Sequence, residues 1–354
     1  HQPSGHPHLP GFDRATSGLE DSIGDSCFHG FSAELDRSLL KRTPARAVDL
    51  SVNLVSGIHA ERPTSPDSKV HDGEDLWILS SNLLGAGAWG KVLEGMDRHG
   101  KLVAMKQVEV PQAANEMSIS GCSQLIQEGK VLRRLSHPNI VRYLGFAQTG
   151  RRVYIVMEYM AGGNLKDMYR KYGQLSPSLV KLYCIDMLSG LDYLHSEGII
   201  HLDLKPTNVL VDHQAHCKLA DFGTASSLES LTVMGGMSIV GTPLYMAPEM
   251  LENKKYLASD MWSFGLTVAE LLQAMHPFYN MIEDPTPGAI IMLIMTTTPR
   301  MPDVVPEECR DWIASCWSRE HTERPTARQL LDHPWIRSNP SVDENQSPTA
   351  QQFN

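Results

Sequence analysis

His201-Leu202-Asp203-Leu204-Lys205-Pro206-Thr207-Asn208 lies between the apolar pair Ile199-Ile200 and the apolar run Val209-Leu210-Val211. Pro206 and Asn208 mark it as a turn or loop. Within it an acid, a base and an amide stand at positions D, D+2 and D+5. A loop displaying these three groups together can orient a hydroxyl nucleophile, offset phosphate charge and hold a metal ion. Taken singly, each is more often a surface polar residue than a catalyst. What makes the loop informative is its company.

Upstream stands Gly85-Ala86-Gly87-Ala88-Trp89-Gly90-Lys91-Val92, after the apolar pieces Trp77-Ile78-Leu79 and Leu83-Leu84. A second β-rich piece, Lys101 to Val108, follows it. Strand, glycine turn and strand differs from the strand, glycine turn and helix of a dinucleotide fold. Glycines there let backbone approach phosphates, because no Cβ intervenes. A plain hairpin turn is the default for such a pattern alone. Within that second piece, Val103-Ala104-Met105-Lys106 ends on a lysine.

A helix is expected over Ile119 to Leu135, because Leu125, Glu128, Leu132 and Leu135 share one helical face. Glu128 is then a carboxylate on an inward stripe, where an unpaired charge is costly. Val153 to Tyr159 reads as a strand. Leu165 to Tyr172 and Ser176 to Glu197 read as helices, the second apolar along Val180, Tyr183, Met187, Leu191 and Leu194. Asp260-Met261-Trp262-Ser263-Phe264-Gly265-Leu266 opens a helix apolar nearly all round, which suits a buried central helix.

Downstream of the loop come Asp221-Phe222-Gly223 and Gly241-Thr242-Pro243-Leu244-Tyr245-Met246-Ala247-Pro248-Glu249. In this order the set resembles the protein kinase family, over about residues 76 to 336. Lys205 and the Gly-Thr-Pro ending resemble serine/threonine rather than tyrosine kinases. Ser136 to Val141, Tyr143-Leu144-Gly145 and Arg324 to Trp335 look like the MAP kinase kinase kinase branch. The resemblance implies an α+β bilobal fold. A small β-rich lobe with one key helix would cover 76–158, and a larger, mainly helical lobe 159–337.

The same resemblance assigns roles. Asp203 would be the catalytic base, Lys205 would balance charge on the transferring phosphoryl group, and Lys106 would reach the α- and β-phosphates of ATP. Glu128 would pair with Lys106. Asn208 and Asp221 would hold Mg2+. Leu84, Gly85, Gly87, Gly90, Val92 and Ala104 would line the nucleotide site, with Met157 at the back of the adenine pocket. Glu158 and Met160 would offer backbone groups to the adenine edge. Ala161 to Asn164 would be the hinge, and Arg324 would face Glu249. The implied partner is a protein substrate, a MAP kinase kinase among the candidates.

Two departures stand out. Leu202 occupies a place where most kinases carry arginine, so the usual receiver of an activation-segment phosphate is missing; Lys218 is the alternative basic residue. Trp89 is bulky at the tip of the glycine loop and has no assigned role. The segment from Asp221 to Glu249 carries Thr232, Ser238 and Thr242 as hydroxyl residues.

The remaining features set limits. The chain has 354 residues, 42% of them hydrophobic, and a formal net charge of -10, which argues against a nucleic-acid binder. Cys27, Cys122, Cys184, Cys217, Cys309 and Cys316 show no metal-ligand spacing and read as reduced thiols of a cytoplasmic protein. No apolar run is long enough for a membrane span. Residues 1–73, rich in His, Pro, Ser, Gly and Asp, read as a disordered extension that could take a regulatory partner. His1, His6 and His8 read as solvated polar residues within it. Residues 74–337 form the kinase-like domain and 338–354 a disordered tail. A non-catalytic scaffold (a pseudokinase) is the main alternative, and a small-molecule phosphotransferase a third. Lys106, Glu128, Asp203, Asn208 and Asp221 are all present, against the first; the Ala247-Pro248-Glu249 segment is not needed by the second.

Overall fold

In the computed structural model, the described residues are 68–72, 75–87, 90–109, 125, 128–149, 151–227, 243–281, 286–303 and 305–338. Six strands come first: β1 (Ser68–Asp72), β2 (Asp75–Gly87), β3 (Gly90–Asp97), β4 (Leu102–Glu109), β5 (Tyr143–Thr149) and β6 (Arg152–Glu158). They close into an antiparallel barrel in the order β1-β2-β3-β4-β6-β5. Alternating side chains fill it with Trp77, Leu79, Leu93, Val103, Met105, Ala147, Tyr154 and Val156.

Gly145 makes room for Trp77: a Cβ there would lie 2.5 Å from the indole ring. The ring is rigid and buried, so Gly145→Ala is expected to lower stability by about 1–3 kcal/mol through overpacking. A melting curve checks this, and an unchanged midpoint would contradict the tight contact.

β1 corrects one boundary. It lies inside the segment expected to be disordered, yet pairs with β2 from Ser68↔Leu79 to Asp72↔Asp75 and meets β5 at His71↔Gln148. Edge strands with unpaired backbone groups favour such closure, and the mostly polar run Ser68-Lys69-Val70-His71-Asp72 hid it from the sequence pattern. Ser338 likewise belongs to the folded part, since its Oγ lies 3.0 Å from Lys181 Nζ.

Residues 128–132 form helix α1, whose Gly129 approaches the Ile155 side chain on β6. Leu125, Glu128, Leu132 and Leu135 are all buried, so the expected helix face is real where it is described.

The second lobe follows β6. A short β7 (Gly163–Asn164) leads into α2 (Leu165–Tyr172), where the Asn164 side chain accepts from the Asp167 N–H as an N-cap. Ser176 caps α3 (Pro177–Ser196) in the same way. Its stripe Val180, Tyr183, Met187, Leu191 and Leu194 is buried, as the apolar spacing predicts. Next come β8 (Ile199–Ile200), β9 (Val209–Val211), β10 (Cys217–Leu219) and β11 (Ser226–Ser227). β10 and β9 pair antiparallel, as do β11 and β8.

α4 (Pro248–Leu251) precedes α5 (Leu257–Gln273), which is buried from Ser259 to Leu272. It is the central helix that its all-round apolar character predicts. α6 (Pro287–Thr296), α7 (Glu307–Ser315), α8 (Ala327–Leu331) and α9 (Pro334–Arg337) complete the lobe. Among the described residues no helix is long and apolar enough to cross a membrane.

Candidate active site

The cleft between the lobes is built from strand ends and two loops. Along β4 the period of two sends Val103 and Met105 into the barrel, and Ala104 and Lys106 to the other face. Lys106 Nζ lies 2.6 Å from Glu128 Oε2 and 2.8 Å from Asp221 Oδ1. Two carboxylates from distant parts of the chain thus share one ammonium. Burial opposes the lysine's charge, but Asp221 and Glu128 outweigh it and hold the proton above the usual lysine range. For Asp221 loss of solvation beside the lysine disfavours the charge, and Lys106 overcomes it, so the half-exposed carboxyl sits below its usual range. For Glu128 burial dominates and pushes the carboxyl up to about 7, with Lys106 pulling against it and Asp221 adding to it.

The loop after β8 is wired to itself. Asp203 Oδ2 is 2.9 Å from Lys205 Nζ and accepts from Asn208 Nδ2 at 3.0 Å. The same Nδ2 donates to the Asp203 carbonyl at 2.8 Å. The D, D+2 and D+5 groups therefore converge. The Ala220 N–H donates to the Asn208 carbonyl at 2.9 Å, which brings the residue before Asp221 against this loop.

Asp260 holds the loop from beneath, a part that motif reasoning passed over as the start of an apolar helix. It is fully buried, and its carboxylate accepts from the N–H groups of His201 and Leu202, each at 2.9 Å. His195 Nε2 is also 2.9 Å away. A carboxylate in an otherwise apolar helix is the signal that could have found it, since a buried charge needs partners. Leu202 itself is buried with φ +67. A left-handed backbone costs a leucine about 1–2 kcal/mol, which the two Asp260 bonds offset. Asp221 is left-handed too, at φ +61. Strained residues of this kind gather at functional sites.

The glycine loop joins β2 to β3, with Gly85↔Val92 and Gly87↔Gly90 as partners. Gly90 has φ +133, and a Cβ there would lie 2.2 Å from the Gln107 carbonyl oxygen, so only glycine fits. At Gly85 a Cβ would meet nothing within 4 Å, and Leu84 beside it is 38% exposed: this edge of the cleft is open. Val92 and Ala104 are half-buried, and Ala104 pairs across to Met157, which is buried like Met160. Ala88 and Trp89 lie outside the described residues.

Glu158 differs in one respect from a residue turned to the cleft. Its carboxylate oxygens lie 2.8 and 2.9 Å from Lys218 Nζ, and its N–H donates to the Arg142 carbonyl. Lys218 is therefore engaged by Glu158 and does not stand as a free alternative phosphate receiver. Thr232, Ser238 and Thr242 lie outside the described residues. Arg324 grips Glu249 with two bonds, 2.7 and 2.8 Å, as the motif order implies. Ser259 Oγ adds a third contact at 2.8 Å, and the pairing holds the Glu249 carboxyl below its usual range against the effect of burial.

Residues 79–336 match the protein kinase domain, a span that contains every one of these groups. The chain belongs to the protein kinase family. MAP3K epsilon protein kinase 1 of Arabidopsis thaliana is 39% identical over 259 residues, covering 72% of this kinase and 18% of the relative. Mitogen-activated protein kinase kinase kinase 2 of the same plant is 38% identical over 261 residues, covering 72% and 40%. Cell division control protein 7 of Schizosaccharomyces pombe is 36% identical over 269 residues, covering 75% and 24%. This kinase thus spans less than half the length of these curated relatives. The names of the two Arabidopsis relatives carry its resemblance to the MAP kinase kinase kinase branch.

Proposed function

We propose that this kinase transfers the γ-phosphoryl group of ATP to serine or threonine hydroxyls of a protein. The observation that carries the proposal is the Lys106 ammonium bridged between Glu128 and Asp221, beside a loop that gathers Asp203, Lys205 and Asn208. Asp203 accepts the substrate hydroxyl's proton. Lys205 stands beside it to offset charge on the phosphoryl group in flight. Leu84, Gly85, Gly87, Gly90, Val92 and Ala104 cover the nucleotide, and Met157 closes the pocket behind adenine. Backbone groups of Glu158 and Met160 serve the adenine edge.

The donor set fits magnesium. Asn208 commits its amide nitrogen to Asp203, which directs its side-chain oxygen away as an acceptor. Asp221 keeps a half-exposed carboxylate with only Oδ1 on Lys106. Two such oxygens suit a hard cation. Magnesium bound by Asn208 and Asp221 supplies charge neutralisation for the phosphates.

Incubation with ATP and magnesium, followed by mass spectrometry of the protein and of a peptide library, tests this. Phosphate on serine and threonine is expected. Nucleotide binding without transfer would favour a scaffold. The names of the relatives support a MAP kinase kinase as substrate and a place in a MAP kinase cascade, which phosphorylation of such a protein in the same assay would test. Cys184, Cys217, Cys309 and Cys316 are all free and buried, which fits the reducing cytoplasm.

Leu202 bears on regulation. An arginine at that place can pair with an activation-segment phosphate, a charge-assisted contact worth about 1.5–3 kcal/mol. Leucine supplies none of it, and Lys218 is occupied. Phosphatase treatment, Thr232→Ala and Ser238→Ala are each expected to lower turnover by less than about tenfold, or about 1.4 kcal/mol. A larger fall would show that another cation receives the phosphate. With activity depending only weakly on these sites, control falls to the flanking segments or a partner, with residues 1–73 as the place for one.

A further inference from the structure

Lys218 and Glu158 form a partly buried ion pair that the phosphoryl-transfer chemistry does not use. Their side chains are 16% and 17% exposed, and the ammonium meets both carboxylate oxygens. Glu158 ends β6, three residues before the hinge stretch that begins at Ala161. Lys218 is the middle residue of β10, three residues ahead of Asp221. The pair thus links the strand that meets the adenine edge to the strand that delivers the carboxylate at the phosphates.

Other bonds make this link stiff. The Arg142 N–H donates to Glu158 Oε1 at 2.7 Å, and the Glu158 N–H returns to the Arg142 carbonyl at 3.0 Å. The Val141 N–H donates to the Leu219 carbonyl, and the Leu219 N–H to the Asn139 carbonyl, each at 2.9 Å. Asn139 Nδ2 reaches the Cys217 carbonyl at 3.1 Å. Residues 139–142 are therefore stitched to β10 on one side and to Glu158 on the other, and Lys218 closes the ring.

We propose that Lys218 is a positioning residue for the nucleotide: through Glu158 it fixes the hinge relative to the strand leading to Asp221. The proposal rests on the nucleotide site described under Proposed function. Without the ammonium, the Glu158 carboxylate would be left poorly solvated and would turn out to water. That turn would also release the Arg142 N–H, one of the two bonds joining residues 139–142 to the end of β6, and so loosen the strand end that leads into the hinge. Displacements of about 1 Å in a binding frame weaken affinity and alignment well beyond the local contact.

The experiment measures kcat and KM for ATP, with direct Mg-ATP binding by calorimetry, in Lys218→Met, Lys218→Gln and Lys218→Arg. Lys218→Met and Lys218→Gln are expected to raise KM and Kd about tenfold, with kcat falling less than about threefold. Lys218→Arg should recover most of the affinity, because a guanidinium can also hold both oxygens. The double variant Lys218→Met with Glu158→Gln should bind ATP no worse than Lys218→Met alone, since the two act as one unit. Two variants at Lys218 guard against one that fails to fold. A Kd within twofold of the parent in either would overturn the proposal, as would equal losses from Lys218→Arg and Lys218→Met. A parent protein that binds no Mg-ATP would instead defeat the nucleotide site itself, and the proposal would fall with it.

Discussion

Asp203→Asn is expected to lower turnover by about 10²–10⁴-fold while leaving Mg-ATP binding within about twofold of the parent. The geometry explains why the two readouts separate. Asp203 contacts Lys205 and Asn208 within its own loop, whereas Lys106, the lysine proposed to face the nucleotide, is paired with Glu128 and Asp221. An asparagine keeps the volume and one oxygen for Lys205, so the loop should hold its shape. What it loses is the carboxylate proposed to take a proton as the hydroxyl attacks. The full loss should appear in kcat, because the interaction belongs to the transition state rather than to nucleotide binding. Calorimetry with Mg-ATP beside a turnover assay separates the cases. Turnover near that of the parent would remove Asp203 from the base's role, and equal loss of binding would mean that the substitution disturbs the Asn208 contacts instead.

The site was legible in the sequence because its groups are few, local and chemically distinctive. Asp203, Lys205 and Asn208 lie within one loop, so their spacing alone brings them together. Glu128 could be read because it interrupts an apolar stripe, and a charge on a buried face demands a partner. The stripe could be seen, but only the fold could deliver Asp221 to the same lysine from 115 positions away. Asp260 was harder. It opens a helix whose burial hides the carboxylate, and its three contacts go to backbone and a histidine that no spacing rule connects to it. The ion pair of Lys218 and Glu158 left no mark at all, since each is an ordinary charged residue at the end or middle of a strand. β1 was missed for the opposite reason: it pairs through backbone, and its mostly polar side chains give no alternation to detect.

Lys106→Met and Glu128→Gln are each expected to cut turnover by about 10²-fold or more, and the double variant by little more than either. At 2.6 Å the pair is a single unit: removing either member leaves the other without its role. The two losses nevertheless differ in kind. Lys106→Met leaves Glu128 and Asp221 as neighbouring carboxylates with no cation between them, and Glu128 is 1% exposed. Burial and that repulsion would drive the Glu128 proton on, so this variant should stay folded with Glu128 neutral. Glu128→Gln keeps Lys106 on Asp221, where it can still approach phosphate but is steered from one side only. Its ATP affinity should therefore suffer less than that of Lys106→Met, while turnover suffers similarly. The measurement is a double-mutant cycle on kcat/KM with melting curves for all four proteins. A coupling energy near zero, with the single losses simply adding, would show that the two residues do not act together in the working enzyme. A coupling of about 2 kcal/mol or more would make Glu128 the residue that aims Lys106.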